Sequence, residues 1–179
     1  MDSMYVHIPF CNRICTYCDF NKVLIKNQPV DDYISALINE LKIYGKKTLK
    51  TIYVGGGTPT ALTVSQLDRL LKFMTDNFTV TDEFTFEANP DELTTEKLDV
   101  LNNYGVNRIS LGVQTFNNDL LKVLGRTHNF DDIFKSVNHL EKIGLTNYSL
   151  DLMYNLPGET FADIDMSLKY VGELKPKHI

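Results

Sequence analysis

HIPFCNRICTYCDF, residues 7–20, contains all three cysteines of the chain, Cys11, Cys15 and Cys18, spaced C-x3-C-x2-C. The eight residues from Cys11 to Cys18 reach at most about 3.3–3.6 Å each, so the three sulfurs must curl around a single object. Three objects suit them. A disulfide uses two thiols and leaves one over, which suits a secreted protein poorly. A structural zinc takes four protein ligands, usually as two spaced pairs, and the chain has no fourth cysteine. An iron–sulfur cluster takes thiolates as ordinary ligands. With three of them one iron of a cubane lacks a protein ligand and stays open for a substrate. The stoichiometry favours the cluster, and the other two readings stay open on the cysteines alone.

Outward from this stretch, strand and helix patterns alternate five times. Met4–Ile8 reads as a strand ended by Pro9. A helix begins near Asp31, with Ile34, Leu37, Ile38, Leu41 and Tyr44 at helical spacing and Gly45 closing it. Thr51–Val54 is a second strand, running into Gly55-Gly56-Gly57-Thr58-Pro59. Thr63 and Gln66 form a capping box for a helix with Val64, Leu67, Leu70, Leu71 and Met74 inward. Phe84–Glu87 is a third strand, and a helix from Thr94 or Thr95 runs to Gly105. Arg108–Val113 is a fourth, followed by a short helix capped by Asn117 and a longer one over about 131–143. Tyr148–Met153 is the fifth, and Thr160 opens a last helix with Ile164, Leu168 and Val171 inward. Such alternation requires parallel strands with right-handed helical crossovers, as a doubly wound sheet or a barrel. Lys175-Pro176-Lys177-His178-Ile179 resembles the entrance to a sixth strand, so the 179 residues read as one domain cut where the next unit begins.

The composition, with 43 % hydrophobic and 23 % charged residues, is that of an ordinary globular protein. A net charge of −5 gives no electrostatic case for nucleic acid. The cluster Lys42, Lys46, Lys47 and Lys50 reads as a solvated helix end. MDSMYVHIPF lacks the pattern of a signal peptide, and no apolar run of about 18 residues reads as a membrane span. Reduced thiols point to the cytoplasm.

C-x3-C-x2-C with an aromatic, Tyr17, before the third cysteine resembles the signature of radical S-adenosylmethionine (SAM) enzymes. The resemblance implies a [4Fe–4S] cluster whose open iron is chelated by SAM, and reductive cleavage of SAM to methionine and a 5′-deoxyadenosyl radical. The strand ends supply further polar groups, where barrels and doubly wound sheets place their sites. GGGTP permits close backbone approach to a ligand, the favoured reading, because a tight strand–helix turn would use one glycine and rarely three. Glu87 suits an ammonium, or a surface ion pair. Gln114 and Asp151 suit ribose hydroxyls. Arg126 suits a carboxylate, or a surface pair. His7 is a weak candidate proton carrier beside a packed structural role. Tyr5 and Tyr17 suit an adenosyl group or the core. His128 and His139 read as solvated.

The motifs YVHIPFC, GGGTP, Glu87-x-Asn89-Pro90, Gly105-Val106-Asn107-Arg108-Ile109-Ser110-x-Gly112-x-Gln114-x-Phe116, Gly125-Arg126-x-His128 and Asp151-x-Met153-x-x-Leu156-Pro157-Gly158 follow the order seen in the coproporphyrinogen-dehydrogenase-like radical SAM group, which includes HemN and HemW. The resemblance implies that Cys11, Cys15 and Cys18 hold the cluster. It implies that Tyr5, Tyr17, Gly56, Gly57, Thr58, Glu87, Gln114, Arg126 and Asp151 line the SAM site. The implied fold is a partial (β/α) barrel of six units, five of them present, followed by a C-terminal domain that the chain lacks. Two departures separate the branches. HemN-type dehydrogenases carry a fourth cysteine two residues after the third, where this chain has Phe20. They also carry an extension before the first strand. Both features resemble HemW, whose group is regarded as heme chaperones and whose heme-linked motif lies in the C-terminal domain. The implied partners are heme or a porphyrin, a flavodoxin-type electron donor and a heme-accepting protein. The alternative is oxidative decarboxylation of coproporphyrinogen III.

Overall fold

The computed structural model describes residues 2–179. Five parallel strands form one sheet in sequence order: β1 (Ser3–Ile8), β4 (Lys47–Gly56), β5 (Phe78–Ala88), β6 (Arg108–Gln114) and β7 (Tyr148–Leu152). Two short strands, β2 (Phe10–Cys11) and β3 (Val23–Leu24), pair beside the cysteine loop. The helices are α1 (Val30–Lys42), α2 (Val64–Asn77), α3 (Thr95–Asn103), α4 (Asn118–Val123), α5 (Phe130–Lys142) and α6 (Phe161–Leu174). This is a partial (β/α) barrel of five units.

The two faces of the sheet differ in chemistry because strand side chains alternate. Val6, Val54, Phe86, Ile109 and Tyr148 follow one another across the register and are all buried against the helices in one core. Their neighbours on the other face are Tyr5, Tyr53, Thr85 and Arg108, then Glu87, Ser110 and Ser149. The outer face therefore carries the apolar burial that drives folding, and the lumen is polar. Fully parallel sheets usually bury both faces in apolar side chains, so the polar inner face marks where the site is.

Local signals hold where they rest on caps. Thr63 and Gln66 make the reciprocal capping box of α2, and Asn117 accepts from the backbone N–H groups of Asp119 and Leu120 at the start of α4. Gly45, Gly105, Gly125 and Gly144 all take positive φ just past helix ends, as left-handed caps do. Four expectations need correction. β4 and β5 run several residues earlier than expected, because Lys47, Thr48 and Leu49 pair with Phe78, Thr79 and Val80 ahead of a bulge between Leu49 and Thr51. Val64 is exposed at the first turn of α2. In α6 no residue is buried; Met166, Tyr170, Val171 and Leu174 touch the core, while Leu168 is 54 % exposed. The rings of Phe116, Phe130 and Phe134 around Tyr170 explain that rotation. His128 is buried rather than solvated, and His139 is half-buried.

At the chain end, the Lys177 N–H donates to Tyr148 O and the Leu150 N–H to His178 O. His178 forms a parallel bridge with Ser149. Residues 177–178 thus occupy the position of a sixth strand beside β7.

Candidate functional site

The cysteine loop is tied down at both ends. The N–H groups of Val23 and Ile25 donate to Pro9 O and Cys11 O at 2.7 and 2.8 Å, and the Thr16 N–H donates to Leu124 O at 3.1 Å. Cys11 is buried, receives a hydrogen bond from Thr58 Oγ1 at 3.5 Å, and has its thiol pushed up chiefly by burial. Cys15 and Cys18 are half-buried, and all three thiols are free. Among the described residues no three His, Cys, Asp or Glu side chains converge enough to hold one metal ion.

Beside the loop, at the C-terminal ends of the strands, lies a cavity of about 410 Å³. That is within the usual range for small-molecule sites. Its wall includes Cys15, Tyr17, Cys18, Gly56, Gly57, Thr58, Glu87, Gln114, Arg126 and Asp151. Of the residues expected at the SAM site, Tyr5 is absent from this wall, and of the three cysteines Cys11 is. Tyr5 is 57 % exposed and stacks on Tyr53, with ring centroids 6.1 Å apart. The Tyr5 hydroxyl lies 3.0 Å from His7 Nδ1, and His7 Nε2 lies 2.9 Å from Asn21 O. A carbonyl only accepts, so Nε2 carries the proton and Nδ1 accepts from Tyr5. With both nitrogens engaged, His7 is a bracket between β1 and the end of the cysteine loop.

The three glycines of GGGTP meet three different demands. A Cβ on Gly55 would lie 2.7 Å from the Glu87 carboxylate, and one on Gly57 would lie 2.8 Å from the Phe10 carbonyl oxygen. Gly56 takes φ +122, and its Cβ would lie 2.5 Å from the His7 ring. Protein neighbours alone thus account for the glycines, while Gly56 and Gly57 still line the cavity. The Gly56 N–H donates to Glu87 Oε2 at 2.9 Å and the Tyr53 hydroxyl to Oε1 at 2.6 Å. These two donors fix the orientation of the Glu87 carboxylate on the cavity wall. On the next strand, beside Glu87 in the register, Ser110 Oγ is 3.0 Å from each oxygen of Asp151, whose carboxyl is raised mainly by desolvation. Gln114 sits at a bulge with φ +67. Such a conformation costs a non-glycine residue about 1–3 kcal/mol and gathers at functional sites.

Arg126 joins the parts. Nη2 donates to Asn89 Oδ1 and to Gly112 O, both at 2.6 Å. Nη1 points to Tyr17 OH at 3.4 Å and Cys15 Sγ at 3.6 Å. Burial, aided by the neighbouring thiols, pushes Tyr17 up to about 12 despite the guanidinium. Behind Cys11, Asn12 Nδ2 and Thr60 Oγ1 donate to the two oxygens of Glu92, whose carboxyl is raised by burial. The sequence reading missed Tyr53, Asn89, Glu92, Ser110 and His128. Tyr53 and Ser110 carried a signal, since strand alternation puts them on the face of Glu87 and Asp151; Glu92 carried none.

The description of the radical SAM superfamily matches residues 5–171. The chain belongs to the radical SAM superfamily. Among radical SAM relatives, the heme chaperone HemW of Lactococcus lactis is 49 % identical over 180 residues, covering 99 % of this chain and 48 % of that protein. The heme chaperone HemW of Bacillus subtilis is 47 % identical over 185 residues, covering 99 % and 49 %. Coproporphyrinogen III oxidase (HemN) from Escherichia coli, described as a radical SAM enzyme, superposes with a TM-score of 0.88 at 37 % identity, over 97 % of this chain and 42 % of that one. The chain spans about half the length of the curated relatives it matches. Among the described residues no helix is long and apolar enough to cross a membrane.

The residues fit the groups this radical SAM membership implies. Three free thiols stand on one pinned loop. A carboxylate and a guanidinium, Glu87 and Arg126, complement the two charges of an amino acid, and Asp151 with Ser110 offers acceptors and a donor to a diol.

Proposed function

We propose that this chain is the cluster- and SAM-binding part of a HemW-like heme chaperone, working in the cytoplasm as the notional home of reduced thiols. The observation that carries the reading is Phe20. It lines the cavity and is 70 % exposed, at the place where the resembled dehydrogenases have a further cysteine. The identities of 49 % and 47 % to two HemW chaperones support it.

Cys11, Cys15 and Cys18 would hold a [4Fe–4S] cluster. When bound, cluster and SAM supply one-electron reductive cleavage of a carbon–sulfur bond. The chain's own residues bind and orient. Glu87, held by Tyr53 and Gly56, takes the ammonium of SAM. Arg126 takes its carboxylate. Asp151 and Gln114 take the ribose hydroxyls, with Ser110 keeping Asp151 in place. Tyr17 and Met153 close the wall against water. The partners under this reading are heme, a heme-accepting protein and an electron donor of flavodoxin type.

The close superposition on HemN favours a second reading, oxidative decarboxylation of coproporphyrinogen III. The full-length protein, reconstituted anaerobically and supplied with SAM and a reductant, separates the two. The chaperone reading expects stoichiometric heme binding and no vinyl product from coproporphyrinogen III. Multiple-turnover formation of that product would overturn it.

A further inference from the structure

His128 has no role in the ligand set above, yet it is buried to 3 % exposure just behind the cavity wall. Its Nε2 lies 3.2 Å from Val113 O and its Nδ1 lies 3.4 Å from Arg126 Nε. The Val113 carbonyl accepts only, so Nε2 must carry the proton. Nδ1 is then a lone pair, and the Arg126 Nε–H donates to it. The tautomer follows from the two partners. Burial, and the Arg126 charge, push the imidazole down to about 4, so it is neutral in any ordinary buffer; an imidazolium would have no acceptor for Arg126.

Arginine carries five N–H donors in a rigid fork. Two anchor points already fix one edge of this fork: Asn89 Oδ1 and Gly112 O hold Nη2. Two acceptors on one nitrogen still leave the plane free to tilt about the side chain's last bonds. A third acceptor at Nε, on the same edge, removes that freedom. The Nη1 corner is then the one with only long contacts, to Tyr17 OH and Cys15 Sγ. That corner faces the cavity and the cysteine loop. A Cβ on Gly112 would lie 3.1 Å from Nη2, so the backbone is also shaped to the locked fork.

We infer that His128 is a positioning residue that aims the Nη1 corner of Arg126 at the carboxylate of SAM. The inference rests on the SAM reading of the cavity. Three variants test it. His128→Leu removes the acceptor. His128→Asn keeps it, because Asn Oδ1 stands near where Nδ1 was. Arg126→Met removes the group acted upon. In the cluster-free chain, hydrogen exchange at Arg126 Nε–H is followed by NMR. In the anaerobically reconstituted chain, the SAM dissociation constant is measured.

His128→Leu is expected to speed Nε–H exchange and to weaken SAM about tenfold, as losing a hydrogen bond to a charged group does. His128→Asn is expected to stay within about threefold of wild type. In the Arg126→Met background, His128→Leu is expected to cause no further loss. Equal weakening by Asn and Leu, or the same loss with and without Arg126, would overturn the inference, because a merely structural histidine acts regardless of Arg126. If the reconstituted wild-type chain binds no SAM, the proposed function falls, and the Nε–H exchange still decides whether His128 holds Arg126.

Discussion

Single residues at this site are set by their neighbours rather than by their own propensities. Gly56 shows it best. Its φ of +122 belongs to a region that glycine alone occupies readily, and a Cβ would strike the His7 ring. Gly45, at φ +63 with nothing within 4 Å, carries the backbone demand without the clash. Gly45→Ala should therefore destabilise the chain by about 1–2 kcal/mol, the backbone term alone, and Gly56→Ala by more, about 3 kcal/mol or above, because the clash adds to the backbone term. Denaturant unfolding compares them, and equal losses would contradict the role assigned to His7. His128 sets a pH window. Its folded value of about 4 is below the 6.5 of an unfolded histidine, so between those values the unfolded chain binds the extra proton. Stability then rises with pH across the window. It should fall by roughly 3 kcal/mol as the pH drops from 6.5 to 4, at about 1.4 kcal/mol per pH unit. Arg126 opposes the imidazolium, while Asp91 and Asp132 favour it. His128→Asn should flatten that part of the profile; an unchanged slope would mean other groups produce it.

Elements were legible where a local device defines them. Thr63 with Gln66 announced α2 from sequence, and the structure closes both hydrogen bonds. Thr63→Ala should cost about 0.5–2 kcal/mol and lower the thermal midpoint by about 2–4 °C per kcal/mol; no change would mean that the helix start is held by packing alone. Elements were less legible where tertiary contacts decide. The sequence starts these strands only at Thr51 and Phe84, and it is mutual pairing from Lys47 and Phe78 that extends β4 and β5 upstream. The inward face of α6 depends on where the aromatic rings of α5 stand, which periodicity does not reveal. The site divides in the same way. Groups at strand ends, Glu87, Gln114 and Asp151, could be read from position. Asn89 and His128 could not, because Asn89 meets Arg126 only once the end of β5 lies beside the turn after α4, and His128 is turned inward by Val113 O of β6.

The whole molecule is an open barrel whose two edges differ. β1 pairs on one side only, and edge strands invite association. At the other side Leu152, Tyr154, Ile164 and Leu168 line an apolar groove of about 380 Å³. Phe161 and Tyr154 stand beyond it at 87 % and 82 % exposure. The isolated chain should self-associate with rising concentration, and Leu168→Glu should weaken that association. Sedimentation equilibrium checks both, and a monomer at high concentration would contradict the expectation. All of this surrounds one central claim, that the loop at Cys11, Cys15 and Cys18 and the cavity beside it form a single cluster and SAM site. The most direct measurement is iron and sulfide content with electron paramagnetic resonance of the reduced, anaerobically reconstituted chain, with and without SAM. The account predicts about four iron and four sulfide per chain, a spectrum that shifts when SAM is added, and loss of the shift in Glu87→Gln. A reconstituted cluster whose spectrum ignores SAM, or one that survives intact in Cys11→Ser, would contradict it.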